Sequence, residues 1–286
     1  MTVVVGYLPH DGGREALGLG AALARTRDEP LELVTVVPRQ WSSRLADAED
    51  GTPAGRIRAQ ALALARDALA GATVPVEHRI VQRRSVTSAL ADAVTELGAS
   101  TLVLGSADDA PDGRIRAGST AEKLLHASPV PVALAPRGRQ APAGFDRLTV
   151  AFSDSSSSVR TVAAAVPLAA GLGLTLRVAS FGVRNATMYP PEVGLDVEDS
   201  VLDSWADQAD AAQRRLVDDG VIGPDVPCVT GTGTGWDAAV AAVGWEPGDL
   251  LAVGSSGSGP LARVFLGSRA AKLLRSSPVP ALVLPG

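Results

Sequence analysis

The sequence has one cysteine, three histidines and few aromatic side chains. Because Cys228 has no partner, no disulfide can form within the chain and a cysteine-based metal site is excluded. The histidines, His10, His78 and His126, all lie in the first half, which excludes a Ser-His catalytic pair confined to the second half. Cys228 follows Pro227 in a strand-like run, and we interpret it as a small core residue rather than a nucleophile.

The sequence also lacks the features of membrane, secreted and nucleic-acid-binding proteins. No apolar run approaches the roughly 20 residues of a membrane span. The opening residues, MTVVVGYLPHDGG, contain no basic region of a signal peptide. Acidic residues outnumber basic ones by 31 to 26, and the basic residues form no cluster. We therefore expect a cytoplasmic protein without membrane or nucleic-acid partners.

An internal repeat is the main feature that the sequence does contain. Residues 101–136 align with residues 250–285 without a gap, and 16 of the 36 positions are identical. Self-similarity of this kind indicates two copies of one structural unit, and a chain of 286 residues has room for two domains. We predict a first domain over residues 1–137, a linker over residues 138–145 and a second domain over residues 146–286.

Each copy alternates short apolar runs with helical patterns. This alternation predicts a parallel α/β sheet with right-handed crossovers. Pro75 places the third strand near an edge of the sheet because proline cannot donate to a ladder, and Ser85 is expected to cap the helix that follows. In the second copy, residues 182–196 are predicted as a connection, and the alternating glycines and threonines of residues 231–235 as a turn after the third strand.

The segment after the fourth strand of the second copy can bind an anion. It reads VGSSGSGPLARVFLGS over residues 253–268. Gly254 and Gly257 allow the backbone to approach a ligand closely. Gly267 and Ser268 mark a helix start, where free N–H groups and the helix dipole favour an anion, and the Ser268 hydroxyl can cap the helix or bond a phosphate oxygen. The segment is equally compatible with a flexible loop before an ordinary helix.

The pattern G-x2-G-x9-G-S, followed by a helix and a P-V-P strand, resembles the nucleotide-binding signature of the universal stress protein family in its tandem form. The resemblance covers nearly the whole chain. It implies two tandem Rossmann-like α/β domains that pair with each other. Each would have a five-stranded parallel sheet with helices on both faces. A homodimer of the whole chain stays open.

The first copy departs from this signature. It retains Gly105, Gly118 and Ser119, but Asp108 stands where the second glycine belongs. Its loop carries three acidic and two basic residues, namely Asp108, Asp109, Asp112, Arg114 and Arg116. Carboxylates repel a triphosphate, and the arginines offset this only in part. We expect the first copy to be degenerate for nucleotide, or to bind something other than a triphosphate.

The resemblance also implies an acidic residue just after the first strand, which would hold the ribose or adenine side of the nucleotide. The chain has Leu8 and Ser153 at these positions. Ser153 could bond a ribose hydroxyl, and a shift of one residue could bring Asp154 into this role. Alternatively, Asp154 opens the DSSSS turn and caps the next helix.

These observations predict a protein that binds ATP, or another adenine nucleotide, with Mg²⁺ in its second domain and serves a regulatory stress-response role. No residue of the loop is an obvious general base, so any hydrolysis should be slow. The alternative is a protein-interaction module that has lost nucleotide binding. We interpret Trp205 and Trp236 as packing residues. The predicted binding residues are Gly254, Ser255, Gly257, Arg263, Gly267, Ser268, Ser153 and Asp154, and more weakly Gly105, Gly118 and Ser119.

Overall fold

A computed structural model describes residues 1–8, 11–38, 52–69, 74–184, 195–255 and 267–285. The described part of the first half contains β1 (Thr2–Gly6), α1 (Asp11–Arg27), β2 (Leu31–Pro38), α2 (Pro53–Leu69), β3 (Val76–Arg83), α3 (Val86–Glu96), β4 (Ala99–Gly105), α4 (Ser119–Ala127) and β5 (Val132–Ala135). The described part of the second half contains β6 (Arg147–Phe152), α5 (Ser156–Gly171), β7 (Thr175–Arg184), α6 (Leu195–Asp218), β8 (Cys228–Thr234), α7 (Trp236–Ala241), β9 (Asp249–Gly254), α8 (Ser268–Ser276) and β10 (Ala281–Leu284).

The ten strands form one sheet in the order β3-β2-β1-β4-β5-β10-β9-β6-β7-β8. Within each half all neighbouring strands run parallel. The halves meet where β5 and β10 pair antiparallel, with Leu134 opposite Ala281. The strand β3 that follows Pro75 lies at one edge, as predicted.

Helices cover both faces of the sheet and bury two apolar clusters. On one face, Leu19 of α1 and Leu33 of β2 belong to the same cluster as Leu148 of β6 and Leu250 of β9. On the other face, Leu124 of α4 packs in a cluster that also contains Leu273 of α8. Each cluster therefore contains residues of both halves. The predicted fold class, parallel α/β units with helices on both faces, is confirmed.

Two predictions in the third strand region of the second half are wrong. Residues 231–234 continue β8 rather than forming a turn, and β7 extends to Arg184, with Val183 opposite Gly233. A Cβ at Gly233 would lie 2.6 Å from Ala238 Cβ and from Ala239 N. These glycines therefore allow α7 to pack directly on the strand, and only residue 235, the N-cap of α7 with φ 90°, has a turn conformation.

The structure also tests the roles predicted for Ser85 and Cys228. Ser85 is the N-cap of α3, and its hydroxyl accepts a hydrogen bond from the Ser88 N–H, as predicted. Cys228 is exposed rather than part of the core, because β8 is an edge strand and Cys228 is its first residue.

A buried histidine links β3 and β2 to Tyr7, the residue that follows β1. His78 Nε2 lies 2.9 Å from Thr35 Oγ1, which donates to the Tyr7 carbonyl at the same distance. Because the threonine proton is used in this way, the histidine must be the donor, which fixes its neutral tautomer. Burial, with a smaller contribution from Arg58, lowers the pKa of His78 from 6.5 to about 4.

This pKa makes the stability of the fold sensitive to mild acid. The unfolded chain binds a proton at His78 near pH 6.5, whereas the folded chain resists it down to about pH 4. Stability is therefore lost as the pH falls through this window, by on the order of 3 kcal/mol at most. Replacing His78 by Phe should flatten the decline in the free energy of urea unfolding between pH 6.5 and 5. A His78→Phe protein with the original slope would contradict this assignment.

Candidate functional site

A crevice opens between the carboxyl ends of β6 and β9, at the point where the strand order of the second half reverses direction. Ligands of open α/β sheets bind at this type of position. The cavity has a volume of about 160 Å³. Its described lining comprises Ala151, Phe152, Ser153, Ser155, Ser157, Ser158, Thr161, Phe181, Trp205, Trp236, Val253, Gly254, Ser255, Gly267, Arg269, Ala270 and Leu273.

Serine hydroxyls form one wall of the crevice at the start of α5. Ser155 is the N-cap, and its hydroxyl accepts a hydrogen bond from the Ser158 N–H at 3.3 Å. The Ser158 hydroxyl in turn accepts from the Ser153 N–H at 2.9 Å. These bonds fix the turn after β6 and hold Ser153 and Ser157 in the cavity lining.

Asp154 neither caps the helix nor lines the described cavity. Its carboxylate lies 2.7 Å from the Arg215 guanidinium in an ion pair that is exposed on both sides. The prediction that Asp154 is the cap is wrong, because the next residue, Ser155, supplies the capping oxygen. Its predicted role as a ligand stays a prediction.

The wall opposite is made by the end of β9. Gly254 lies against Thr161 of α5, since a Cβ on Gly254 would lie 2.0 Å from the threonine hydroxyl. Ser255 is buried, and its hydroxyl donates to the Leu284 carbonyl at 2.8 Å. Ser106 makes the equivalent bond to the Ala135 carbonyl in the first half. In this structure, the serine that follows the strand-end glycine ties the fourth strand to the fifth.

The start of α8 supplies the positive charge of the crevice. Gly267 is the N-cap and makes no side-chain capping bond, and Ser268 is the first helical residue, with an exposed side chain. The prediction that the Ser268 hydroxyl could cap α8 is therefore wrong. Arg269 is the single charged residue in the described lining. Gly257 and Arg263 lie outside the described residues.

Aromatic side chains close the remaining side, and sequence reasoning missed this role. Phe181, Trp205 and Trp236 all line the cavity. The Trp205 ring covers Gly182, where a Cβ would lie 2.4 Å from the ring carbons. The sequence did contain a signal for Trp236, because this residue lies two positions after the end of β8, at the end of the sheet where the crevice forms.

The equivalent crevice of the first half has a different character. It is larger, at about 520 Å³, and its lining contains Gly105, Gly118 and Ser119 as predicted positions. Leu8 lies in the lining, and Asp108 is its only charged residue among those described. Among the described residues, the lining of the first crevice therefore carries one negative charge and that of the second crevice one positive charge.

The loop that follows β4 also contacts the second half. Arg114 Nη1 donates to the Ser276 carbonyl at the end of α8 at 2.5 Å, and its other terminal nitrogen lies 3.8 Å from Asp237. Arg116 pairs with Asp109 at 2.6 Å. Of the two loop arginines, Arg116 thus offsets a carboxylate of its own loop, whereas Arg114 pairs across the halves.

The chain resembles known proteins along its whole length. The model of the universal stress protein family matches residues 1–136 and again residues 144–285. Universal stress proteins of Mycobacterium tuberculosis and Mycobacterium bovis are each 43% identical over 294 aligned residues, covering 100% of both chains.

Solved structures share the fold at low sequence identity. A universal stress protein from Archaeoglobus fulgidus is 18% identical, with a TM-score of 0.58 over 99% of this chain and 96% of that chain. A functionally unknown protein from Pseudomonas aeruginosa is 14% identical, with a TM-score of 0.61 over 99% of this chain and 92% of that chain. The fold therefore places the chain among proteins built from a repeated Rossmann-like unit, with a crevice at each point where the strand order reverses. The chain belongs to the universal stress protein family.

The close contact between Gly105, at the end of β4, and the backbone of α1 can be tested directly. A Cβ at Gly105 would lie 2.1 Å from the Gly12 carbonyl oxygen, which is backbone and cannot rotate away. Gly105→Ala should therefore lower the free energy of unfolding by about 1–3 kcal/mol. Gly171→Ala is the control because no atom lies within 4 Å of its Cβ, and it should be neutral or slightly stabilising. Equal unfolding free energies for the two variants in urea titrations would contradict the contact.

Proposed function

We propose that this protein binds an adenine nucleotide, ATP with Mg²⁺, in the crevice of its second half and serves a regulatory role in a stress response. The observation that carries the proposal is the charge of that crevice. Arg269 is the only charged residue of the described lining, and it stands in the first turn of α8. Membership of the universal stress protein family supports the stress-response role.

The phosphates would lie at the start of α8. The first N–H groups of a helix lack internal partners and carry the positive end of the dipole. Here Gly267 offers no side chain to satisfy them, and the first turn of α8 contains no acidic residue. An anion could therefore accept bonds from the backbone and from the Arg269 guanidinium together.

The nucleoside would lie against the serine and aromatic walls. Ser153 and Ser157 present hydroxyl groups that can bond a ribose, and Phe181, Trp205 and Trp236 present apolar surface to the base. The described lining carries no carboxylate, so Mg²⁺ would be held by phosphate oxygens and water.

Any hydrolysis of the bound nucleotide should be slow. The described lining contains no carboxylate and no histidine, so it offers no side chain that could accept the proton of an attacking water at neutral pH. A nucleotide bound without rapid hydrolysis suits a sensor or switch better than a catalyst. The competing interpretation, an interaction module without nucleotide, predicts no binding at all.

Arg269 provides the sharpest test of this site. Arg269→Gln removes one charge and a charge-assisted hydrogen bond to phosphate, so the Kd for ATP with Mg²⁺ should rise about tenfold in isothermal titration. Arg275→Gln is the matched control, because Arg275 lies at the other end of the same helix and bonds the Ala271 carbonyl. Its Kd should stay within twofold of the parent; equal losses in both variants would contradict the assignment.

Residue 257, in the sequence that follows β9, allows an independent test. Gly257→Asp introduces the residue that occupies the equivalent position of the first copy, Asp108. A carboxylate close to the phosphates should abolish the thermal stabilisation that ATP gives, which is roughly 2.7 kcal/mol at 100 times the Kd. A variant that keeps this stabilisation in full would show that the phosphates do not lie near residue 257.

We also propose that the two halves stay paired in solution through β5 and β10. The antiparallel ladder and the clusters shared by both halves support this. Calorimetry should then give one unfolding transition whose van't Hoff and calorimetric enthalpies agree. Two resolved transitions, of which ATP raises only one, would contradict the pairing.

A further inference from the structure

A loop of the first half contacts two helices that border the crevice of the second half. Arg114, in the loop after β4, donates from Nη1 to the Ser276 carbonyl at the end of α8. Its Nη2 lies 3.8 Å from Asp237 Oδ1 in the first turn of α7. The last carbonyls of a helix lack internal partners and carry the negative end of the dipole, so a guanidinium is suited to bind there. Arg114 therefore bridges α7 and α8 from the other half of the chain.

These two helices carry side chains that line the crevice. Trp236 is the first residue of α7, and Arg269 lies in the first turn of α8. The Lys272 ammonium of α8 lies 5.7 Å from the centre of the Trp236 ring, so the two helices also contact each other directly. Because α8 has nine residues and is about 14 Å long, it moves as one short rod. A contact at its last residue therefore affects the position of its first turn.

The loop that carries Arg114 is itself held in place. Ile115 is 1% exposed and belongs to the apolar cluster that also contains Leu274 of α8. The Gly113 N–H donates to the Arg137 carbonyl at 2.7 Å, and the Arg137 N–H donates to the Arg114 carbonyl at 3.0 Å. The loop can therefore act as a fixed support for α7 and α8.

We propose that Arg114 is a positioning residue for the nucleotide site of the second half. Because it holds α7 and α8 in place before the nucleotide arrives, it reduces the free-energy cost of ordering Trp236 and Arg269 on binding. This inference rests on the proposed function, since the affinity that it concerns is that of ATP with Mg²⁺ in the second crevice. By linkage, a nucleotide bound there must in turn stabilise the Arg114 contact and the loop around it.

Nucleotide titrations of loop variants test this role. Arg114→Gln should raise the Kd for ATP with Mg²⁺ about fivefold, whereas Arg114→Lys can still bond the helix end and should stay within twofold of the parent. Arg116→Gln is the matched control, because Arg116 lies in the same loop and pairs with Asp109 of that loop. Its Kd should also stay within twofold. An unchanged Kd in Arg114→Gln, or equal increases in Arg114→Gln and Arg116→Gln, would overturn the inference.

Hydrogen exchange separates positioning from a general loss of stability. At ATP concentrations that saturate each protein, exchange should slow at the start of α8 in all of them. Exchange of residues 107–116 should also slow in the parent and in Arg116→Gln, but not in Arg114→Gln. A variant that is merely less stable would exchange faster throughout and would keep the effect of ATP on this loop. That outcome, or a parent loop that does not respond to ATP, would overturn the inference.

The titrations also distinguish this inference from the proposed function. If the parent bound no ATP, nucleotide binding would fail and the role of Arg114 would fail with it. If the parent bound ATP and Arg114→Gln bound it equally well, only the role of Arg114 would be contradicted.

Discussion

The antiparallel pairing of β5 with β10 is the interaction on which the arrangement of both crevices depends. Every other ladder in the sheet is parallel, so this one contact reverses the direction of the second half relative to the first. The carboxyl ends of the strands, where each crevice forms, therefore point to opposite ends of the sheet. Because each apolar cluster contains residues of both halves, the pairing also merges their cores. One chain thus carries two separate crevices on a shared sheet.

The two copies share the same backbone arrangement at the crevice but differ in their side chains. In both, a glycine ends the fourth strand in close contact with the first helix of its half, and the serine that follows ties that strand to the fifth. These contacts build the crevice, and they do not specify a ligand. The two described linings differ in charge and polarity. The second half has Arg269 with serine hydroxyls, and the first half has Asp108 with aliphatic walls. The two halves therefore share one backbone arrangement and differ in the chemistry of their crevices.

Sequence reasoning predicted most of the fold because the repeat, the alternation of apolar runs and the position of Pro75 are local signals. It failed where contacts between distant parts of the chain determine the local structure. The glycines of residues 231–233 looked like a turn, but they serve close packing of α7 on β8, which depends on the partner helix. Cys228 looked like a core residue, and only the order of the strands places it at an exposed edge.

The candidate site was predicted only in part, because local signals identify some of its residues and tertiary contacts bring in the others. The glycines and serines near the strand ends were found from spacing. Trp205 was not, because α6 brings it to the crevice from a distant part of the chain. Arg269 was not included either, although it directly follows the predicted Ser268. The apolar character of the first crevice also depends on α3 and β2, which carry no motif. Spacing in a sequence identifies the backbone of such a site, but its chemistry comes from side chains that only the fold assembles.

The number of nucleotides per chain tests the central claim most directly. Native mass spectrometry of the intact chain at saturating ATP and Mg²⁺ should show one nucleotide per chain, since Arg269 in the second half is the only positively charged residue in the described lining of either crevice. Two nucleotides per chain would contradict the assigned difference between the copies. None would contradict nucleotide binding altogether and favour an interaction module of the same fold.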